Sequence, residues 1–344
     1  MRIKRRTFLS GLVGLSLPFA VSSCTNDTSN LTASSPQSAS SSATPSSNAA
    51  SGTTIRIGYQ KATELDLLRS RGKLDQQLKE QGIAIEWSLF PAGPPMLEAM
   101  NAGQIDFGGV GESPPIFAQA GGGQFYYVSV MPLSSQTQDI TVPRNSAIQA
   151  AADLKGKRIA FQKGSSAHYL LLKVLEEQGI SIKDIEAVSL PPADARAAFE
   201  QGNVDAWSIW DPFLAVAEGT GSIRNLNLGR ERRAYFLASQ KFAQNQPDSV
   251  KTILAAAKEN GQWAKQNFRQ VAEQFSGEIK VDANILEKVY QRRSWEVLPV
   301  DAQIQQAQQE VADIFYKAQI IPKSIDVKEA FLPSEGYSKV FPAR

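Results

Sequence analysis

Histidine and cysteine are almost absent from this chain of 344 residues, since His168 is its only histidine and Cys24 its only cysteine. The usual transition-metal sites need several such side chains in a cluster. A Ser-His-Asp set needs a histidine beside a serine and an acid, and nothing around His168 indicates one. The spacing G-x-x-x-x-G-K-[ST] of a nucleotide P-loop is also missing. We therefore expect no metal, no cofactor and no catalytic residues.

A strong charge excess and a membrane-spanning apolar run are missing as well. The formal charge is +2, and four positive side chains but no acid precede Cys24, which leaves −2 downstream. This balance gives little support to nucleic-acid binding. The apolar run from Phe8 to Val21 is shorter than the roughly 20 residues of a permanent membrane helix. Hydrophobic residues make up 42% of the chain, enough for the core of about two domains.

The first 53 residues have the pattern of an export signal followed by a tether. A basic start and a short apolar run predict a signal peptide over residues 1–23. Val21-Ser22-Ser23-Cys24 is similar to a lipoprotein cleavage site, so we expect Cys24 to carry a lipid anchor. Residues 24–53, rich in Ser and Thr, would form the tether. A soluble periplasmic protein with an incidental Cys24 is the alternative, and Arg5-Arg6 leaves twin-arginine and general export both open.

The remaining chain contains an internal repeat. Ile57-Gly58-Tyr59-Gln60-Lys61 aligns with Ile159-Ala160-Phe161-Gln162-Lys163. Further along, EAMNAGQIDFGGVGESPP aligns with AAFEQGNVDAWSIWDPF, which matches Gly103 to Gly202 and Asp106 to Asp205. The apolar runs predict buried parallel strands, and the two glycines predict helix ends. Ser113-Pro114 and Asp211-Pro212 have the pattern of an N-cap followed by Pro.

Two α/β halves of the same order predict two lobes with a cleft between them. We expect lobe 1 to comprise residues 54–138 and 235–344, and lobe 2 to comprise residues 139–234. The segment from Tyr235 to Phe331 has helical periodicity, and we expect most of it to pack on lobe 1. Ligands of open parallel sheets bind beyond the carboxyl ends of the strands. Lys163-Gly164-Ser165-Ser166 begins a helix there, which favours an anion.

Several long stretches closely resemble the aliphatic sulfonate-binding proteins of ABC importers. These stretches are GYQK, FPAGPPMLEA, FQKGSSAHYLLLKVL, PPADARAAFEQGNVDAWSIWDPF and ADIFYKAQIIPK. The resemblance implies the type II periplasmic binding fold, a small organic sulfonate as ligand, and a permease with its ATPase as partners. It implies a binding protein rather than an enzyme, and we expect a monomer. The alternatives are a binder of taurine or nitrate-like anions, or a thiamine-pyrimidine-related binder or enzyme.

We predict the sulfonate site at the helix entrance formed by Gly164, Ser165 and Ser166. Backbone N–H groups, two hydroxyls and the positive helix end would converge there on an anion. Capping of the helix by Ser165 or Ser166 is the alternative. Gln60 would donate from the opposite lobe, unless it caps a turn, and Gly93 would offer an N–H, unless it only shapes its loop.

Other predicted site residues have stronger competing interpretations. Trp210 would form an apolar wall for the ligand's tail, whereas Trp207 would be core. Glu112, with its neighbour Ser113, and Asp211 are unexpected near an anion, and helix capping explains them at least as well. If they face the ligand, a carboxylate there would reject dianions or pair with a ligand ammonium. Arg196 would face the anion, be solvated or form a salt bridge with Asp194. His168 is more simply a packed or capping residue than a catalytic one.

Overall fold

The computed structural model describes residues 53–341. The predicted export signal, Cys24 and the tether up to residue 52 lie outside the described residues. Within the described range the strands are β1 (Thr53–Tyr59), β2 (Ile83–Leu89), β3 (Phe107–Gly111), β4 (Phe125–Leu133), β5 (Gln138–Pro143), β6 (Arg158–Phe161), β7 (Glu186–Ser189), β8 (Ala206–Trp210), β9 (Ile223–Asn225) and β10 (Arg232–Ser239).

Helices cover the faces of the sheets formed by these strands. In the same range they are α1 (Glu64–Arg71), α2 (Lys73–Lys79), α3 (Gly93–Asn101), α4 (Ser113–Ala120), α5 (Ser166–Glu177), α6 (Pro192–Glu200), α7 (Phe213–Gly219), α8 (Gln240–Asn245), α9 (Pro247–Lys265), α10 (Phe268–Ile279), α11 (Ala283–Arg292), α12 (Ala302–Lys317) and α13 (Ser334–Val340). None of these helices combines the length and the apolar character that crossing a membrane requires.

Two five-stranded sheets have equivalent topology, in the orders β2-β1-β3-β10-β4 and β7-β6-β8-β5-β9. The first three strands of each sheet are parallel, and the fourth is antiparallel to them. That fourth strand comes directly after the chain has crossed from the other sheet. The predicted α/β class with two repeated halves is confirmed, and the domain limits stay a prediction.

A pair of equivalent ion pairs explains why the repeat is detectable in the sequence. Arg56 in the middle of β1 donates from its backbone N (2.9 Å) and from Nη2 (2.7 Å) to the carboxylate of Asp106, just before β3. Arg158 and Asp205 repeat these bonds at 2.8 and 2.7 Å in the second sheet. Gly103 and Gly202 both have φ near +70°, as expected for helix-ending glycines. Each half therefore aligns its central strands with the same contacts.

The sequence prediction was wrong at one of the two crossings between the sheets. The first crossing lies between Leu133 and Gln138, since β4 ends at Leu133 and β5 begins at Gln138. Tyr235 begins no helix, because it lies in β10 between β3 and β4. Strands β5 and β10 are both largely buried, so neither shows the alternation of apolar and polar residues that identifies a half-buried strand.

The carboxyl-terminal helices pack on both halves. Helix α9 lies against α1 and α2, as expected for packing on the first half. Helix α11 contacts α7, and α12 contacts both α4 and α5. The helices from α9 to α12 therefore also connect the two halves around the cleft. The predicted packing on the first lobe describes only part of this arrangement.

Candidate functional site

A cleft of about 390 Å³ lies beyond the carboxyl ends of the parallel strands of both sheets. Gln60 after β1, Gly109–Gly111 in β3 and Trp210 at the end of β8 all line it. Short helices begin in the loops that follow these strands, and the first turns of α1, α3, α5 and α6 contribute to the lining. Unpaired N–H groups and positive dipole ends thus point at one volume, which favours an anion.

The loop Lys163-Gly164-Ser165-Ser166 enters α5 with a defined set of hydrogen bonds. Gly164 has φ +75° and donates its N–H to His168 Nδ1 at 3.2 Å. Ser165 donates its hydroxyl to the Gln162 carbonyl at 2.7 Å and accepts from the His168 N–H at 3.4 Å. Ser165 thus has the geometry of a helix cap, which is the alternative interpretation of this residue.

Ser166 presents a free hydroxyl to the cleft. It lines the cleft, and within the described part of the chain its Oγ has no hydrogen-bond partner. A Cβ built on Gly111 would lie 3.3 Å from Ser166 Oγ and 3.7 Å from Arg232 Nη1. The serine of one half and the arginine of the other therefore approach the same point beside a glycine. The N–H groups of Ser166 and Ala167, in the first turn of α5, have no acceptor within the helix.

Arg232 is the main site residue that sequence reasoning missed. It starts β10, lines the cleft and is 7% exposed. Its Nε donates to Thr137 Oγ1 at 3.2 Å, and Nη1 lies 3.9 Å from Glu112 Oε2. Burial lowers the pKa of Arg232, and the nearby Glu112 opposes that shift. The sequence offers only a weak signal, the pair Arg232-Arg233 before the apolar run Ala234–Ala238, because a buried arginine needs a compensating partner.

Glu112 lies behind the cleft wall rather than on it. It is 3% exposed, and neither carboxylate oxygen has a hydrogen-bond partner among the described residues. Burial raises its pKa, while Arg232 acts in the opposite direction. The backbone of Glu112 is already helical, so Ser113 belongs to α4 and is not its N-cap, contrary to the sequence prediction. The Ser113 hydroxyl is buried, and no partner for it is found in residues 53–341.

Asp211 lines the cleft but is already compensated by other groups. Helix α7 begins after Pro212, so Asp211 is not its N-cap, although its Oδ1 accepts the Ala215 N–H at 3.1 Å. Arg292 at the end of α11 donates to the same oxygen at 3.4 Å, and its other terminal nitrogen contacts Glu218. Burial raises the pKa of Asp211 to about 7 despite Arg292.

Apolar side chains form the other wall of the cleft. Trp210 is 9% exposed and meets Phe213 edge to face, with ring centroids 6.1 Å apart. Further apolar residues complete this wall: Leu65, Leu89, Phe90, Met131, Leu133 and Phe236. Trp207 is fully buried, as the core interpretation predicted.

The remaining predicted residues are divided between the cleft and other surroundings. Gln60 lines the cleft and donates from Nε2 to the Gly109 carbonyl at 3.1 Å. Gly93 also lines it, and a Cβ there would lie 2.5 Å from Pro114, so close packing requires this glycine. Arg196 lies outside the lining and pairs with Glu200 at 2.7 Å.

His168 has the environment of a packed histidine. Its ring stacks on Phe161 with centroids 4.6 Å apart, and it is 2% exposed. Burial lowers its pKa from 6.5 to about 3, with a smaller contribution from Lys163. The neutral ring holds the Gly164 N–H and so fixes the loop at the entrance of α5. No group of three or more His, Cys, Asp or Glu suited to a metal occurs in residues 53–341.

Comparisons with known proteins agree with the two-sheet α/β fold. The NMT1-like family model matches residues 48–275. The alkanesulfonate-binding protein SsuA from Xanthomonas axonopodis pv. citri, solved with bound MOPS, is 38% identical with a TM-score of 0.76, covering 81% of this chain and 98% of that one. The periplasmic aliphatic sulphonate binding protein SsuA from Escherichia coli is 37% identical with a TM-score of 0.73, covering 81% and 92%.

A further relative, from Escherichia coli K12, is described by its name as an aliphatic sulfonates-binding protein. It is 39% identical over 280 residues, which cover 80% of this chain and 87% of the relative. The two repeated α/β halves around one cleft define the class of periplasmic binding proteins. Within that class, the chain belongs to the NMT1-like family and, inside it, to the aliphatic sulfonate-binding proteins.

The buried neutral His168 predicts a pH dependence of stability. Because its pKa is about 3 when folded and 6.5 otherwise, the unfolded chain binds one more proton between these values. The stabilisation is therefore present above pH 6.5 and is lost as the pH falls, by up to about 1.4 kcal/mol per pH unit. Replacing His168 by Asn keeps an acceptor for Gly164 and removes the titration.

Urea unfolding of both proteins between about pH 4.5 and 7.5 measures this effect. We expect the free energy of unfolding of wild type to approach that of His168→Asn as the pH falls. Other groups, including Asp211, titrate in both proteins and cancel in the difference. A difference that stays constant over this range would contradict a neutral buried His168.

Proposed function

We propose that the cleft binds the sulfonate group of an organic sulfonate between the first turn of α5 and Arg232, and delivers the ligand intact to the permease of an ABC importer. One observation carries the proposal: Ser166 Oγ and Arg232 Nη1 approach the same point beside Gly111 from opposite halves. A ligand at that point would contact both halves at once.

The chemistry of this point suits a sulfonate. The group is ionised at all cellular pH values and accepts hydrogen bonds on three oxygens. A free hydroxyl at Ser166, two N–H groups at the start of α5 and a buried guanidinium supply complementary donors. Gly111 leaves the space that a side chain would fill. Lys61 and Arg293 add positive charge to the lining.

The rest of the cleft suits an organic tail. Its volume of about 390 Å³ lies within the ordinary range for small-molecule sites. The wall formed by Trp210, Phe90 and their neighbours is apolar, and it begins next to the polar head-group position. A ligand with one anionic end and one apolar end matches this division. This match supports organic sulfonates over small inorganic anions such as nitrate.

Capture without chemical change is the second part of the proposal. His168 is buried with a pKa of about 3 and is bonded to Gly164, so it is unsuited to proton transfer near neutral pH. A nucleophilic serine needs a base bonded to its hydroxyl. Within residues 53–341, the side-chain hydrogen bonds of this loop bring no base to Ser166. These features support a binding role rather than catalysis.

We extend the proposal to the location of the protein outside the cytoplasm. The lipoprotein-like Val21-Ser22-Ser23-Cys24 and the Ser-rich segment after it support a lipid anchor at Cys24 on the periplasmic side of the plasma membrane. The protein would act there as a monomer beside its permease. Export by either pathway is compatible with this role.

The two neighbouring serines provide the sharpest test of the head-group position. Losing a charge-assisted hydrogen bond costs roughly 1.5–3 kcal/mol, so Ser166→Ala should weaken ethanesulfonate binding about tenfold to a hundredfold. Ser165→Ala is the matched control, because its hydroxyl is already bonded to Gln162 and His168. It should reduce stability through the lost cap and change affinity by much less.

Isothermal titration calorimetry with ethanesulfonate measures both affinities, and thermal unfolding measures both stabilities. Equal affinity of Ser166→Ala and wild type, with both proteins folded, would contradict the head-group position. If the ligand recovered after binding were chemically altered, the claim of capture without reaction would be wrong.

The apolar wall predicts dependence on the length of the ligand. Trp210→Ala removes aromatic surface and leaves the donors at Ser166 and Arg232 intact. Octanesulfonate should therefore lose about tenfold or more affinity beyond the loss for ethanesulfonate, because more of its alkyl chain would contact the Trp210 ring. Titration of wild type and variant with both ligands gives the comparison. Equal losses for the two ligands would show that the tail does not contact Trp210.

The anchor is tested by cell fractionation. Cys24→Ala should move the protein from the membrane fraction to the soluble periplasmic fraction, because the lipid is attached through the thiol. Mass spectrometry of the wild-type amino terminus should show a lipid-modified Cys24. Wild-type protein that is already soluble, with an unmodified thiol, would contradict the anchor.

A further inference from the structure

We propose that Glu112 determines charge selectivity in the cleft, favouring monoanionic sulfonates and rejecting dianions such as sulfate. The inference rests on the proposed sulfonate site and adds a residue that discriminates between anions of similar size. Methanesulfonate and sulfate both present oxygens around a tetrahedral sulfur, so hydrogen-bond geometry alone separates them poorly. Their difference in charge is the property that a buried carboxylate can detect.

Three buried or half-buried cations surround the site, and each has an acidic partner. Arg293 donates to Glu64 at 2.7 Å, and Arg292 contacts Asp211 at 3.4 Å. Arg232 has Glu112 at 3.9 Å, beyond hydrogen-bond distance. Arg232 therefore remains free to bond an anion, while Glu112 offsets part of its charge. Among these carboxylates, only Glu112 lacks a hydrogen bond to either oxygen within residues 53–341.

The charge balance of the site is matched to one negative charge. Lys61, Arg232 and Arg293 are the positive side chains of the lining, and Glu64 and Asp211 are the negative ones. Glu112 behind the wall brings the formal sum to zero, and the paired Arg292 and Glu218 add no net charge. Attraction of the ligand therefore comes from the helix ends and from the free donors of Arg232. One negative charge is accommodated by these donors, whereas a second would be poorly compensated in a buried site.

The distances make the repulsion effective. An anion oxygen bonded to Arg232 Nη1 would lie within about 7 Å of Glu112 Oε2, since a hydrogen bond adds about 3 Å to the 3.9 Å separation. At that distance one additional charge is disfavoured on the order of a hundredfold in a partly buried environment. The repulsion needs no contact with the ligand, which agrees with the 3% exposure of Glu112.

The position of Glu112 argues against pairing with a ligand ammonium. Its side chain is not part of the cleft lining, and the Arg232 guanidinium is the charged group nearest to it. A ligand cation would have to displace Arg232 to reach it. The ammonium of taurine lies at the end away from the sulfonate and therefore farther from Glu112. Changing Glu112 should alter the taurine-to-ethanesulfonate affinity ratio by less than it alters the sulfate-to-methanesulfonate ratio.

Two variants and a matched ligand pair test the inference. Dissociation constants for methanesulfonate and sulfate are measured by calorimetry with wild type, Glu112→Gln and Glu112→Asp. About pH 8 is suitable, because burial raises the pKa of Glu112 and alkaline conditions favour the ionised carboxyl. We expect Glu112→Gln to lower the sulfate-to-methanesulfonate ratio of dissociation constants tenfold or more, and Glu112→Asp to keep the wild-type ratio.

An unchanged ratio in Glu112→Gln, with methanesulfonate still bound, would overturn the inference and leave the proposed function standing. Sulfate binding by wild type as tightly as methanesulfonate would overturn it even if the variants failed to fold. Failure of wild type to bind any sulfonate would overturn the proposed function, and this inference with it.

Discussion

A buried guanidinium in an anion-binding cleft is stable only if the protein compensates it before a ligand arrives. Arg232 is 7% exposed at the start of a central strand, and its removal from water is costly without a partner. Glu112, across the same sheet, supplies that partner at a distance too long for a hydrogen bond. The free donors of Arg232 and the lack of bonding at Glu112 follow from this spacing.

The fold supplies this arrangement through its crossings. Because the fourth strand of the first sheet enters directly from the second half, Arg232 begins β10 at the carboxyl ends of β1 and β3. The entrance of α5 belongs to the other half, and its Ser166 approaches Gly111, the same glycine that Arg232 approaches. Helices α11 and α12 contact both halves, and the Arg292–Asp211 and Arg293–Glu64 pairs begin from consecutive residues at the end of α11. These ion pairs therefore join the end of α11 to both halves of the cleft.

Much of this fold was predictable, because local patterns report local structure. The repeat revealed the parallel strands, and Gly103 and Gly202 marked helix ends through their left-handed backbone. The entrance of α5 and the wall residue Trp210 also lie in the cleft lining, as the sequence indicated.

Antiparallel β5 and β10 were missed, since their partners are distant in sequence and their burial does not alternate. Arg232 was missed for the same reason: only the strand crossing brings it to Ser166. Arg196 had a plausible position in its helix, yet its side chain pairs with Glu200 one turn later and lies outside the cleft lining.

The proposed position of the sulfonate group is the point where Ser166 and Arg232 converge. A crystal structure of the protein with ethanesulfonate measures this position directly. We expect sulfonate oxygens within hydrogen-bond distance of Ser166 Oγ, of the first N–H groups of α5 and of the Arg232 guanidinium, with the ethyl group directed toward Trp210. A sulfonate bound elsewhere in the cleft, with neither Ser166 nor Arg232 in contact, would contradict it.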